Sequence, residues 1–98
     1  MPNKYYVVNV IGEYYGTDDF SFDLILGAFE DVETARKTTD AFLNNADFKY
    51  RGDDCLEQIY VFKNHKRIKI LFRDMEYDDV KRSYKTYRSW KQDLEEEV

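Results

Sequence analysis

The sequence predicts a two-layer α+β domain in the order ββαββα, with a four-stranded, mainly antiparallel sheet and two helices on one face. Three observations lead there. Four stretches rich in Tyr, Val, Ile and Phe read as strands, two others carry apolar residues at helical spacing, and 98 residues suffice for one core only. Helices that follow pairs of strands are packed most simply on a single face of one sheet.

Each element has its own justification. KYYVVNVIGEYY, residues 4–15, is β-branched and aromatic, and both of its faces are apolar in the middle: Tyr6, Val8 and Val10 on one, Tyr5, Val7 and Ile11 on the other. That marks a central strand. Gly16 to Asp19 supplies turn residues, and FSFDLILGAF then alternates Phe20, Phe22, Leu24 and Leu26 with Ser21 and Asp23, which completes a hairpin. After Gly27 the period changes. Asp31 suits an N-cap, Glu33 the positive helix end, and Val32, Ala35, Thr39 and Phe42 share a face, so a helix is expected over 32–45. A polar loop over 46–54, turning at Gly52, leads to strands at 55–63 and 67–73 around Asn64-His65-Lys66. The loop 74–79 precedes a second helix over about 79–95.

The last segment contains RSYKTYRSWK, residues 82–91. At 100° per residue Val80, Tyr84, Tyr87 and Leu94 share a sector with Trp90 on its edge, while Arg82 and Lys85 lie behind and Lys81 and Arg88 on a flank. The expectation is that these rings face the core and that Asp78 pairs with Arg82 one turn on. The competing reading, an aromatic and cationic surface that stacks on bases, needs the rings outside. Residues 1–98 form one domain, and a frayed tail is expected at about 95–98, where Glu95-Glu96-Glu97 opposes the helix dipole.

Composition narrows the function classes. A hydrophobic content of 43% rules out wholesale disorder. The net charge of −5 is uneven: residues 1–50 hold nine carboxylates against four Lys and Arg, and residues 51–98 hold eleven of each. Non-specific binding to nucleic acid calls for a basic excess, which is missing. The lone Cys55 closes no disulfide within the chain, the start has no signal-peptide pattern and no apolar run approaches the length of a membrane span. A soluble, cytoplasmic protein is expected.

No catalytic, cofactor or metal set is legible. His65 is the only histidine and falls at a turn, Cys55 reads as a small core filler, and the acidic groups do not follow a calcium-loop pattern. The chain is read as a non-enzyme. Partner contact is assigned to acidic and tyrosine-bearing segments: Glu13, Tyr14, Tyr15, Asp18, Asp19, Tyr50, Asp53, Asp54, Asp74, Glu76, Tyr77, Asp78 and Asp79. The alternative is a nucleotide- or RNA-binding patch of Lys63, His65, Lys66, Arg67, Lys69 and Arg73, joined by Lys81, Lys85 and Arg88. The everyday role of such cations is to protect an edge strand. Should Tyr5, Val7 and Ile11 point away from the helices, that face is apolar enough for a homodimer or a docking surface.

The stretch LILGAFEDVETARKTTDAFL, residues 24–43, resembles small phage and bacterial α+β domains of unknown function in Gly27, Phe29, Glu33 and Ala35. The chain as a whole is similar in type to phage-encoded anti-defence inhibitors, anti-CRISPR proteins among them, which are short, acidic, rich in tyrosine and without catalytic motifs. That likeness implies an inhibitor of a host nucleic-acid-handling protein and carries over no residue roles.

Overall fold

A computed structural model describes residues 3–14, 20–45 and 54–94. Strands β1 (Lys4–Tyr14) and β2 (Phe20–Phe29) precede helix α1 (Val32–Leu43), which is followed by β3 (Asp54–Lys63), β4 (Lys66–Asp78) and β5 (Ser83–Asp93). The five strands form one antiparallel sheet in the order β2-β1-β3-β4-β5. The expected ββαββα order with four strands and two helices is therefore wrong in its last element. Residues 83–93 are an edge strand, and α1 is the one helix among the described residues. No described helix is long and apolar enough to cross a membrane.

The reason lies in the ambiguity of RSYKTYRSWK and in the strand beside it. Tyr, Thr and Trp are good strand formers, and a helical wheel drawn through them collects the same rings that a pleat distributes. Register decides between the two. Residues 74–78, expected as a loop, extend β4 to thirteen residues, and β5 pairs with it from Asp78↔Ser83 to Lys69↔Asp93. Without β5, that long strand would present its unpaired N–H and C=O groups to solvent. The consequence for the rings is mixed. Tyr84 is buried, whereas Tyr87 and Trp90 are 68% and 38% exposed, so the core-facing stripe of three is corrected to one. The expected turn-to-turn pairing of Asp78 with Arg82 is also replaced. The Arg82 amide donates to the Asp78 carbonyl at 2.6 Å, closing a turn in which Arg82 has φ 57°.

The first half follows expectation closely. Asp31 caps α1, its carboxylate accepting from the Thr34 amide at 2.7 Å. Gly12 lies opposite Phe22 in the β1–β2 ladder, and a Cβ there would stand 2.4 Å from the Phe22 ring, so the ring rests where a side chain would be. Gly27 takes φ 149° beside a bulge at which Leu26 is the extra residue. The β3–β4 hairpin turns on Asn64 and His65, with φ 52° and 68°. Positive φ at both central residues is what a two-residue type I′ turn requires.

Helix α1 lies across one face of the sheet. Val8, Val10, Cys55, Ile59, Met75 and Tyr84 meet Ala35 and Leu43 beneath it. Glu57 occupies the middle of that apolar layer at 0% exposure, held by Arg73 across the β3–β4 ladder. Arg73 donates through Nε and Nη2 to the two Glu57 oxygens, each at 2.9 Å. The same guanidinium reaches Asp40 of α1 at 3.0 Å and Thr86 of β5 at 3.3 Å. One side chain thus ties three strands to the helix.

Removing Arg73 leaves the buried Glu57 carboxylate with Arg36 at 3.8 Å in place of two bonds at 2.9 Å, a poorly compensated charge in a dry layer. Arg73→Met with Glu57 retained should cost about 3–5 kcal/mol, read as a lower urea midpoint at constant slope. Replacing both, as Glu57→Leu with Arg73→Met, should recover most of that loss. A double variant no more stable than the single one would mean that the pair itself holds the fold together.

Candidate functional site

Because side chains alternate along a strand, the residues between those of the core point to the opposite side of the sheet. There the register assembles rows across the sheet: Asp54–Glu76–Lys85, then Ile11–Leu56–Asp74–Arg88, Asn9–Gln58–Phe72–Trp90, Val7–Tyr60–Ile70–Gln92, and Tyr5–Phe62–Arg67. On the helix side the same strands carry Val8, Val10 and Ile59 at 0% exposure. On this side Tyr5, Val7, Ile11, Leu56, Tyr60, Phe62, Ile70 and Phe72 are all half-buried, and no described element lies over them. The condition set by the sequence is met: Tyr5, Val7 and Ile11 point away from the helix.

The face is built of paired rings. Tyr5 and Phe62 stack at 5.0 Å and 5°, and Phe72 and Trp90 at 4.9 Å and 11°. Rings lying flat and side by side on the sheet could not come so close without overlap. They therefore overlap face to face, leaning on one another across the ladder. Arg67 lies 5.3 Å over Tyr60 and Arg88 lies 4.4 Å over Trp90, which adds cation–π contact to both ends of the ridge. Even the amides in the middle are satisfied within the face. Asn9 Nδ2 donates to Gln58 Oε1 at 3.1 Å, and the Tyr60 hydroxyl donates to the same oxygen at 3.2 Å. An apolar ridge with internally paired polar groups loses little when it is taken out of water.

Charge is graded along the strands. One end bears the Asp54–Glu76 pair with Asp74 behind it, and Asp54, Asp74, Glu76 and Tyr87 line a depression of about 280 Å³. Tyr87 is the extra residue of the β4–β5 bulge, which turns it into this depression. The other end bears Arg67 beside His65, Lys66 and Lys63 around the β3–β4 turn, where a second depression of about 400 Å³ is bounded by Tyr5, Phe29, Asn64 and His65 among others.

The two predicted residue groups come together only in part. Asp54, Asp74 and Glu76 meet at the acidic end, and the backbone of Glu13 pairs with that of Asp54. Asp79 is exposed in the β4–β5 turn. Tyr77, expected as an exposed anchor, packs edge-on to Tyr84 at 5.1 Å against the core and is corrected to a structural residue. Asp78 is taken up by its own turn, its carboxylate accepting from the Val80 and Lys81 amides at 2.9 and 3.1 Å. Tyr14 ends β1, and Tyr15, Asp18, Asp19, Tyr50 and Asp53 lie outside the described residues. The alternative basic patch is divided. Lys63, His65, Lys66 and Arg67 surround the hairpin turn, and Lys69 is half-buried beside Val61 on the helix side. Arg73, expected at the surface, is the buried partner of Glu57. Lys81, Lys85 and Arg88 sit at the far end of the sheet. There Arg88 pairs with Asp74 at 3.1 Å and Lys85 with Asp78 at 3.8 Å.

The residues missed as site members are Tyr60, Phe62, Ile70, Phe72, Tyr87 and Trp90. Apolar residues on both faces of β1 were the visible signal, and the same double pattern in CLEQIYVFK extends the open face to β3. Burial pushes the Cys55 thiol up to about 11, so at neutral pH it is held protonated and offers no nucleophile. No family model, curated protein or solved structure matches the chain.

The Lys81 amide, with that of Val80 and the nearby Lys85 and Lys81 ammonium groups, holds the Asp78 carboxyl below its ordinary 3.8. The unfolded chain keeps the ordinary value and so takes up this proton first as pH falls. The stability tied to the ionised carboxylate is complete above 3.8 and is lost as pH drops through the lowered value. Melting curves should find Asp78→Asn less stable than wild type at neutral pH, with the gap closing under strong acid. A gap that persists in acid would show that the charge is not its source.

Proposed function

We propose that this chain is a non-enzymatic protein-binding module that docks through the open face of its sheet. The observation that carries the reading is the asymmetry between the two faces. The same central strands are sealed by α1 on one side and leave a ridge of stacked rings half-exposed on the other. A matching partner presents an apolar centre and, at one end, cations for Asp54, Asp74 and Glu76. The narrower reading, an inhibitor of a nucleic-acid-handling host defence protein, draws support from that acidic row and from the likeness of type to phage-encoded inhibitors. A cationic protein of that class is the heterologous partner to try first.

A second reading, nucleotide or RNA binding, is favoured by one observation. Tyr87 and Trp90 are bare on a strand that also carries Lys85, Arg88 and Lys91. Against it, Arg88, Lys85 and Lys91 each have a carboxylate within 4 Å, and the Trp90 ring already stacks with Phe72 and carries Arg88 at 4.4 Å.

Photo-crosslinking tests the first reading. Benzoylphenylalanine in place of Phe72 or Tyr60, in cells that naturally make the chain, should give discrete protein adducts, and the same group in place of the exposed Lys37 should give none. Absence of adducts at both face positions would remove the docking reading. For the second, Trp90 is the only tryptophan and its emission reports on this face directly. Short RNA, DNA and cyclic nucleotides at low salt should leave that emission unchanged, and saturable quenching would promote nucleic acid to the lead.

A further inference from the structure

The partner chemistry required above is also the chemistry of this face itself, and we infer that the occupant of the open face is a second copy of the chain, related by a two-fold axis lying between the sheets and perpendicular to the strands. This rests on the docking reading and adds the identity and orientation of the partner.

Two in-plane axes can stack one sheet on another. An axis parallel to the strands lays like ends together, setting Asp54, Asp74 and Glu76 against the same carboxylates of the second copy. An axis perpendicular to the strands reverses the ends and lays each strand on its own counterpart, antiparallel. On β4 the open-face positions run from Arg67 at the basic end to Glu76 at the acidic end. Reversal about the Phe72 row, the middle one of the five, brings Arg67 over the second copy's Glu76, and Glu76 over its Arg67. The charge gradient thus rejects one arrangement and completes the other. Between the charged ends the row of Phe72 and Trp90 meets its own copy and the Val7–Tyr60–Ile70 row lies over the second copy's Ile11–Leu56–Asp74 row, with strands close to the alignment that packed sheets prefer.

The area suffices. Five strands about 4.8 Å apart and five same-face rows at about 6.8 Å give on the order of 800 Å² on each copy, in line with the roughly 800 Å² per partner of a stable interface. The molecule's extents of 46 × 24 × 20 Å keep this face long and narrow, as an end-to-end charge gradient requires.

Light scattering on the full chain should return twice 11.9 kDa at tens of micromolar, and Ile70→Lys should return a single chain with an unchanged circular-dichroism spectrum. Arg67→Glu and Glu76→Lys supply the orientation test. Each alone places like charges in both end contacts and should dissociate at least tenfold more readily. An equimolar mixture should recover the wild-type dimer, because every end contact then joins opposite charges. Wild type that stays at the single-chain mass at these concentrations would overturn the inference. So would variants that fail to rescue one another. Crosslinking at position 72 separates this from the parent reading: an adduct of two chains supports both, an adduct with a different protein from monomeric wild type sinks the dimer alone, and no adduct sinks both.

Discussion

Among the described residues one helix has to cover five strands, and the rest of the described structure follows from that mismatch. Twelve residues of α1 span about 18 Å, on a sheet roughly 24 Å wide with strands of ten to thirteen residues. The helix can seal a patch of one face and nothing of the other. Under the patch the exposures of Val8, Val10, Ala35 and Ile59 fall to zero, while Leu24 of edge strand β2, opposite Val10 and 41% exposed, lies beyond its reach.

A core this small has an unusual centre. Glu57 stands where alternation along β3 calls for an apolar residue, and its carboxylate is satisfied by a two-pronged contact with Arg73. Buried pairs of this kind contribute little net stability compared with apolar side chains of the same volume, but they penalise any arrangement that separates them. Here the pair also fixes Asp40 of the helix and Thr86 of β5. It sets the position of α1 on the sheet as well as the pairing of β3 with β4.

Opposite the helix, neighbouring rings do the work a second layer would do. Tyr5 against Phe62 and Phe72 against Trp90 shield one another across the ladder, and Arg67 and Arg88 lie along the ring faces. Such a surface can remain in water without collapsing and can still be buried against a matching face. The charge gradient along the strands gives that surface a direction, which an apolar patch by itself lacks.

By itself, the sequence determined the elements whose signals are local. It placed the β1–β2 hairpin, the Asp31-capped helix, the β3–β4 pair and the two-faced apolar character of residues 4–11, because turn chemistry, capping and a period of two act over a few residues. Local pattern could not decide residues 79–95, where aromatics and cations fit a helical wheel and a pleated strand alike. Nor could it tell that Arg73 is inside and Arg67 outside, since the two look the same along the chain. The tertiary structure decided both through pairing. An open β4 edge drew the last segment into the sheet, and Glu57 opposite Arg73 turned an apparent surface cation into the centre of the core.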